Sequence, residues 1–280
     1  MRKIALALFL FTLFSVVASA QVNSSEPRDT AFLKRTVTVG NNTYAYRVYV
    51  PKRFNPKKKY PVVLFLHGAG GRGVDNEKQI QGEKYSLGGV IQKKPERFDS
   101  FIAIFPQARE NAYWIGEMVE QAVAALDQTV AEFKADERRL YLTGFSLGGY
   151  GSFYTAAKYP NKFAAIVSYG GGIMPPGATR LPPLMKMVLS PDVLKLYEAE
   201  NPYQAFAKAL SKTPVWIFHG EKDEQVPVSE PRRIAEEFKI ANGAASVKYT
   251  EYVGEGHFIT EKVYTDPALW KWLLAQRLGK

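Results

Sequence analysis

The 280-residue sequence contains no cysteine. That absence excludes a disulfide framework, a thiolate zinc site, a thiol nucleophile and a lipidated N-terminal cysteine. Histidine is almost as scarce. His67, His219 and His257 are the only three, which leaves little room for a histidine-rich metal centre. Beyond residue 20 no apolar run is long enough to cross a bilayer. Repeats, low-complexity tracts and the signatures of helix-turn-helix, zinc-finger or RNA-binding modules are missing, so nucleic acid is not an expected partner. With 46% hydrophobic and 23% charged residues, the composition is that of a globular chain, not a disordered, collagenous or coiled-coil one.

The first twenty residues differ from the rest. Arg2 and Lys3 precede an apolar run from Ile4 to Val17, and Ala18-Ser19-Ala20 follows with small residues. This is the layout of a secretory signal peptide cleaved before Gln21. The chain is therefore expected to be secreted or periplasmic, with no stable membrane insertion after cleavage. Net charge is +10, from 37 basic and 27 acidic residues, and loss of Arg2 and Lys3 leaves +8. The densest basic stretch, Lys52 to Lys59, reads as a solvated loop.

Residues 21–35 are polar and read as a flexible leader, with a single catalytic-type domain over 36–280. Short apolar runs then alternate with amphipathic stretches, the pattern of βαβ units. Thr36 to Val39 and Thr43 to Val50 read as a hairpin. Pro61 to Leu66 and Phe101 to Phe105 are near-continuous apolar strands, as expected where both faces of a sheet are covered. Met118, Ala122, Val123, Leu126, Val130 and Phe133 recur at three- and four-residue steps, which predicts a helix over 117–133. Further strands are expected at 140–143, 163–167, 215–218 and 247–252. Helices are expected at 148–159, 203–210, around 234–240 and at 268–278. The proline-rich span 172–213 reads as an insertion at the carboxyl ends of the strands.

Gly144-Phe145-Ser146-Leu147-Gly148-Gly149 lies between a predicted strand and a predicted helix. That is the context in which a G-x-S-x-G string becomes a sharp turn presenting a serine nucleophile. A serine needs a base, and His257, in the glycine-flanked loop Gly254 to Phe258, is the candidate. An acid between the two in sequence completes the set. Asp223, just beyond the strand at 215–218, fits, with Glu221 and Glu224 as competitors. Acyl transfer also needs two N–H donors for the developing oxyanion. Leu147 and Ala69 are the expected pair, Ala69 lying in the glycine-rich run His67 to Gly73 and Gly70 being a substitute. His67 and His219 read as structural, and Arg72 as solvated. Tyr113 and Trp114 are candidate substrate-binding residues. Met185, Met187, Leu181, Leu184 and Leu189 form either an apolar lid or simple packing of the insertion.

The motifs HGAGGRG, GFSLGG, HGEKDEQVP and GEGHF, in this order over roughly residues 43–278, resemble the α/β-hydrolase superfamily. The nearest likeness is to its exported carboxylesterases, related to feruloyl esterases and polyhydroxybutyrate depolymerases. The resemblance implies an α/β-hydrolase fold, a central mostly parallel sheet flanked by helices. It also implies a Ser146, Asp223, His257 triad, a small ester or esterified-polysaccharide substrate, and no cofactor. The chain is similar, too, to the catalytic domain of prolyl oligopeptidase-type enzymes, though 280 residues leave no room for their large N-terminal propeller. A small peptidase and a non-catalytic binding relative are the alternatives to an esterase.

Overall fold

The computed structural model describes residues 32–82, 84–175, 178, 180–243 and 247–279. The expected signal segment and residues 21–31 of the leader lie outside the described residues. Eight strands form one sheet: β1 (Phe32–Val39), β2 (Asn42–Tyr49), β3 (Val62–Leu66), β4 (Ile102–Pro106), β5 (Leu140–Phe145), β6 (Ala165–Tyr169), β7 (Val215–Gly220) and β8 (Val247–Tyr252). Their spatial order is β1-β2-β4-β3-β5-β6-β7-β8. The β1–β2 and β2–β4 pairings are antiparallel, and every pairing from β4 to β8 is parallel. This is the mostly parallel sheet the motif order implies.

Parallel strands need crossovers, and helices supply them on both faces. Helices α1 (Leu87–Lys93), α2 (Glu117–Phe133) and α3 (Leu147–Lys158) come from the first half of the sheet. The insertion folds into α4 (Pro183–Lys186), α5 (Pro191–Glu198) and α6 (Pro202–Ala209), each with proline in its first turn. There the missing N–H is no loss and the fixed φ suits a helix start. Then follow α7 (Ser229–Asn242), α8 (Thr260–Thr265) and α9 (Pro267–Ala275).

The alternation of side chains along each strand divides the core in two. Leu64, Ile104, Leu142, Ile166 and Ile217 face α2, α3 and α7, meeting Val119, Leu126, Phe153, Ile234 and Phe238. Val63, Phe65, Phe105, Tyr141, Val167 and Phe218 face the other way, onto α1, α8 and α9. Side chains buried this fully each contribute roughly 1.5–3 kcal/mol.

Strand β1 starts at Phe32, four residues before the expected start of the domain at 36. Phe32 is drawn in by packing rather than by local propensity. Its ring lies 5.4 Å from Tyr49 and 5.6 Å from Phe105.

Candidate active site

The parallel register places the carboxyl ends of β3 to β8 along one edge, and the predicted site residues lie in the loops that leave that edge or, for Leu147, at the start of the helix that follows. Ser146 stands between β5 and α3 with φ 52° and ψ −114°. Such a conformation costs a non-glycine residue about 1–3 kcal/mol and persists only where the surroundings hold it. Here the Ser146 N–H donates to the Tyr169 carbonyl at 2.9 Å, and the Ser146 carbonyl accepts from Gly149 N–H at 2.8 Å. The flanking glycines are steric necessities. A Cβ on Gly144 would lie 2.0 Å from the Gly148 carbonyl oxygen, and one on Gly148 would lie 1.9 Å from that of Leu66.

Leu147 is the first residue of α3 and Ala69 the first of a short 3₁₀ turn, Ala69–Gly71. First-turn N–H groups have no acceptor within their own helix. Ser146, Leu147 and Ala69 share the wall of one cavity of about 480 Å³.

Glycines also bring Asp223 and His257 together. A Cβ on Gly220 would lie 2.1 Å from the Gly256 carbonyl oxygen, so the loop after β8 closes directly over the end of β7. Lys222 N–H donates to the Glu255 carbonyl at 2.8 Å, tying the two loops. His257 Nδ1 then donates to Asp223 Oδ2 at 2.6 Å. His219 Nε2 also reaches Asp223 Oδ2, at 3.2 Å, and donates to the Val226 carbonyl at 2.9 Å. Asp223 Oδ1 accepts from the N–H groups of Gln225 and Val226, both at 2.9 Å. Burial pushes the Asp223 carboxyl up, but the hydrogen bonds from His219, His257 and Val226 outweigh it and hold the group well below the ordinary carboxylate range. With Nδ1 engaged, Nε2 is the free basic nitrogen of His257. The His257 ring packs 4.9 Å from that of Phe145, next to Ser146. No hydrogen bond joins Ser146 Oγ to His257 among the described residues. Among the described residues Glu221 and Glu224, the competing acids, form no hydrogen bond or ion pair with His257; Glu221 accepts from Gly254 N–H instead.

His67 fastens the glycine-rich turn. Its Nε2 accepts from Ala108 N–H at 3.0 Å and its Nδ1 donates to the Gly68 carbonyl at 2.6 Å. Burial lowers its pKa to about 4. Trp114 is fully buried rather than at a rim: it stacks edge-on with His67 at 4.8 Å and donates Nε1–H to the His67 carbonyl at 2.8 Å. Tyr113 is half-exposed, and Arg72, expected in solvent, lies over its ring at 5.2 Å with a buried Nε that has no partner among the described residues. Both aromatics and Arg72 line the Ser146 cavity. Of the five insertion residues, Met185 lines that cavity, Leu181 and Leu189 are buried, and Leu184 and Met187 are exposed.

Several lining residues were not foreseen. Tyr150 sits one helical turn after Ser146, a spacing that puts both on one face, and its hydroxyl is buried with no hydrogen-bond partner among the described residues. Burial, and secondarily the Glu230 charge, pushes that phenol up. Tyr154, Tyr197 and Ile173 also line it. Glu230 accepts from the Ile173 and Met174 N–H groups at 3.0 and 3.2 Å and from the Tyr203 hydroxyl at 2.6 Å, pinning the loop after β6. Among the described residues no group of three His, Asp or Glu side chains converges as a metal site, and no helix is long and apolar enough to cross a membrane.

A serine at a strained strand-to-helix turn, on a mostly parallel eight-stranded sheet covered by helices on both faces, defines the α/β-hydrolase class. The chain belongs to the prolyl oligopeptidase family, whose model matches residues 105–277. It is 30% identical over 176 residues to feruloyl esterase D of Neurospora crassa, covering 59% of each chain. It is 24% identical over 135 residues to the bifunctional acetylxylan esterase/xylanase XynS20E of Neocallimastix patriciarum, covering 44% of this chain and 17% of that protein. The chain thus spans less than two thirds of the length of these curated relatives. Among solved structures, a thermostable esterase superposes with a TM-score of 0.68 at 26% identity, over 88% of this chain and 63% of that one.

Proposed function

We propose that the chain hydrolyses carboxylic esters through an acyl-enzyme. Ser146 Oγ attacks the ester carbonyl while its proton passes to His257 Nε2. The carbonyl electrons move onto oxygen, where the Leu147 and Ala69 N–H groups stabilise the charge. Collapse of this intermediate expels the alcohol, which takes the proton back from His257. Water then repeats the sequence and releases the acid. Asp223 stays ionised throughout, fixing the imidazole and stabilising its charged form. The steps use side chains, backbone and water alone. The observation that carries the reading is Ser146 itself, held at positive φ and opening on the 480 Å³ cavity.

The aromatic lining from Tyr113, Trp114, Tyr150, Tyr154 and Tyr197 favours an aromatic acid, of the feruloyl type, over acetyl. The relatives named above support an ester of a polysaccharide. Cleavage of a peptide amide by the same machinery is the second reading, favoured by the family match and by a 28% identity over 145 residues to a probable dipeptidyl-aminopeptidase B.

The test is kcat/KM on methyl ferulate, p-nitrophenyl acetate and a matched aryl amide. Methyl ferulate is expected to rank first, with a loss on the order of 10³-fold or more in Ser146→Ala. Full ester turnover by Ser146→Ala overturns the assignment, and preference for the amide selects the peptidase. The same reading has the chain exported and cleaved after Ala20, so exported protein is expected to begin at Gln21; recovery with residues 1–20 intact contradicts that.

A further inference from the structure

The cavity that holds Ser146 is walled largely by aromatic and aliphatic side chains, and among the described residues that line it Arg72 alone carries a formal charge. The steps proposed above give that charge no task. A cation without a partner against apolar walls is costly, which raises the question of what it pairs with.

The protein's own carboxylates are engaged elsewhere. Asp75 and Glu110 are shared with Lys78, at 3.6 and 3.7 Å, and Glu77 pairs with Arg47 and Lys34. Behind the wall, Glu230 accepts from the Tyr203 hydroxyl and the Ile173 and Met174 N–H groups. Asp223 accepts from His219, His257, Gln225 and Val226. Within the guanidinium, Nε is sealed from the cavity and offers a ligand nothing. The two terminal Nη groups differ: among the described residues no hydrogen bond or ion pair engages them, and neither is sealed.

Two contacts hold this fork in place. Arg72 N–H donates to the Ala69 carbonyl at 3.3 Å, closing the same 3₁₀ turn whose Ala69 N–H is the proposed oxyanion donor. The guanidinium carbon lies over the Tyr113 ring, 5.2 Å from its centre, so the ring covers one face and leaves the N–H edge open. A planar edge with two unengaged Nη groups is the arrangement that takes a carboxylate bidentately.

We infer that Arg72 selects the substrate: the acid part of the ester carries a second, ionised carboxylate, which pairs with the Arg72 Nη groups. The inference rests on the proposed hydrolase chemistry and on an aromatic acid in this cavity, and two measurements separate its failure from theirs. The first compares kcat/KM on the methyl esters of 3- and 4-carboxycinnamic acid with those of 3- and 4-methylcinnamic acid. The pairs keep the alcohol and the ring and exchange the charge for a methyl group. At neutral pH at least one carboxylate ester is expected to exceed its methyl counterpart by about tenfold or more, through KM. Arg72→Gln is expected to remove that preference and Arg72→Lys to keep part of it. No preference in the wild type overturns the assignment. Equal proportional losses on charged and neutral esters in Arg72→Gln also overturn it, and leave Arg72 as a charge acting on the oxyanion common to both. The second measurement follows binding of the same intact esters to folded Ser146→Ala protein by saturation-transfer NMR. Binding of a carboxylate ester that is abolished by adding Arg72→Gln supports the pairing even where no ester is turned over, an outcome that would sink the hydrolase reading alone. Absence of binding by both carboxylate esters, or binding indifferent to Arg72, overturns it.

Discussion

His67 and His219 each precede a glycine at the end of a buried strand, yet they hold different things. His67 holds the turn carrying Ala69, and because Ala108 N–H points at its Nε2 it has no lone pair left to protonate. Its pKa of about 4, against an ordinary value of 6.5, makes it a linkage group. The unfolded chain binds this proton first as pH falls, so the contribution is complete above about pH 6.5 and is lost as pH drops to about 4. The difference is worth roughly 3 kcal/mol. Urea unfolding from pH 7 to 4 should therefore show a steeper loss of stability in the wild type than in His67→Gln; parallel curves would contradict this. His219 supports Asp223, an arrangement hidden in the sequence because both residues had local explanations of their own. The four-residue spacing from His219 to Asp223 is the one signal that could have joined them.

At the scale of elements, the elbow is determined by backbone crowding. Gly148→Ala drives a methyl into the Leu66 carbonyl and must separate α3 from β3. A loss of at least about 2 kcal/mol is expected by urea unfolding. Gly70→Ala, with open space around its Cβ, is expected to stay within about 0.5 kcal/mol. Equal effects from the two would mean that the crowding at Gly148 relaxes freely. Elements with strong internal patterns were readable from the chain. Helix α2 spans 117–133 as its apolar stripe predicts, and β8 spans 247–252 as its run predicts. Helices α1 and α8 were not. Gly88 and Gly89 give α1 poor propensity; Gly88 passes so close to Ile80 that a Cβ would lie 2.8 Å from the Ile80 Cα, and the helix is held by the Ser86 cap and the burial of Leu87, Val90 and Ile91. Helix α8 is six residues long and is held by burial of Val263 and Tyr264 against the sheet.

At the scale of the whole molecule, one topological fact assembles the site. Six parallel strands end on the same edge, so a turn at 67–73, a serine at 146 and loops at 220–226 and 253–258 converge although they span most of the chain. The motifs could be read in order because each follows its strand in sequence. The rest of the cavity wall could not, since Ile173 and Tyr197 join the Tyr150–Tyr154 face of α3 only through the packing of α5 and the loop after β6.

The central claim is that Ser146 is the nucleophile, and covalent capture tests it most directly. Folded protein treated with a fluorophosphonate and mapped by peptide mass spectrometry should carry one adduct per chain, on Ser146, and Ser146→Ala should carry none. An adduct confined to another residue, or a folded wild type that takes no label, would contradict the account.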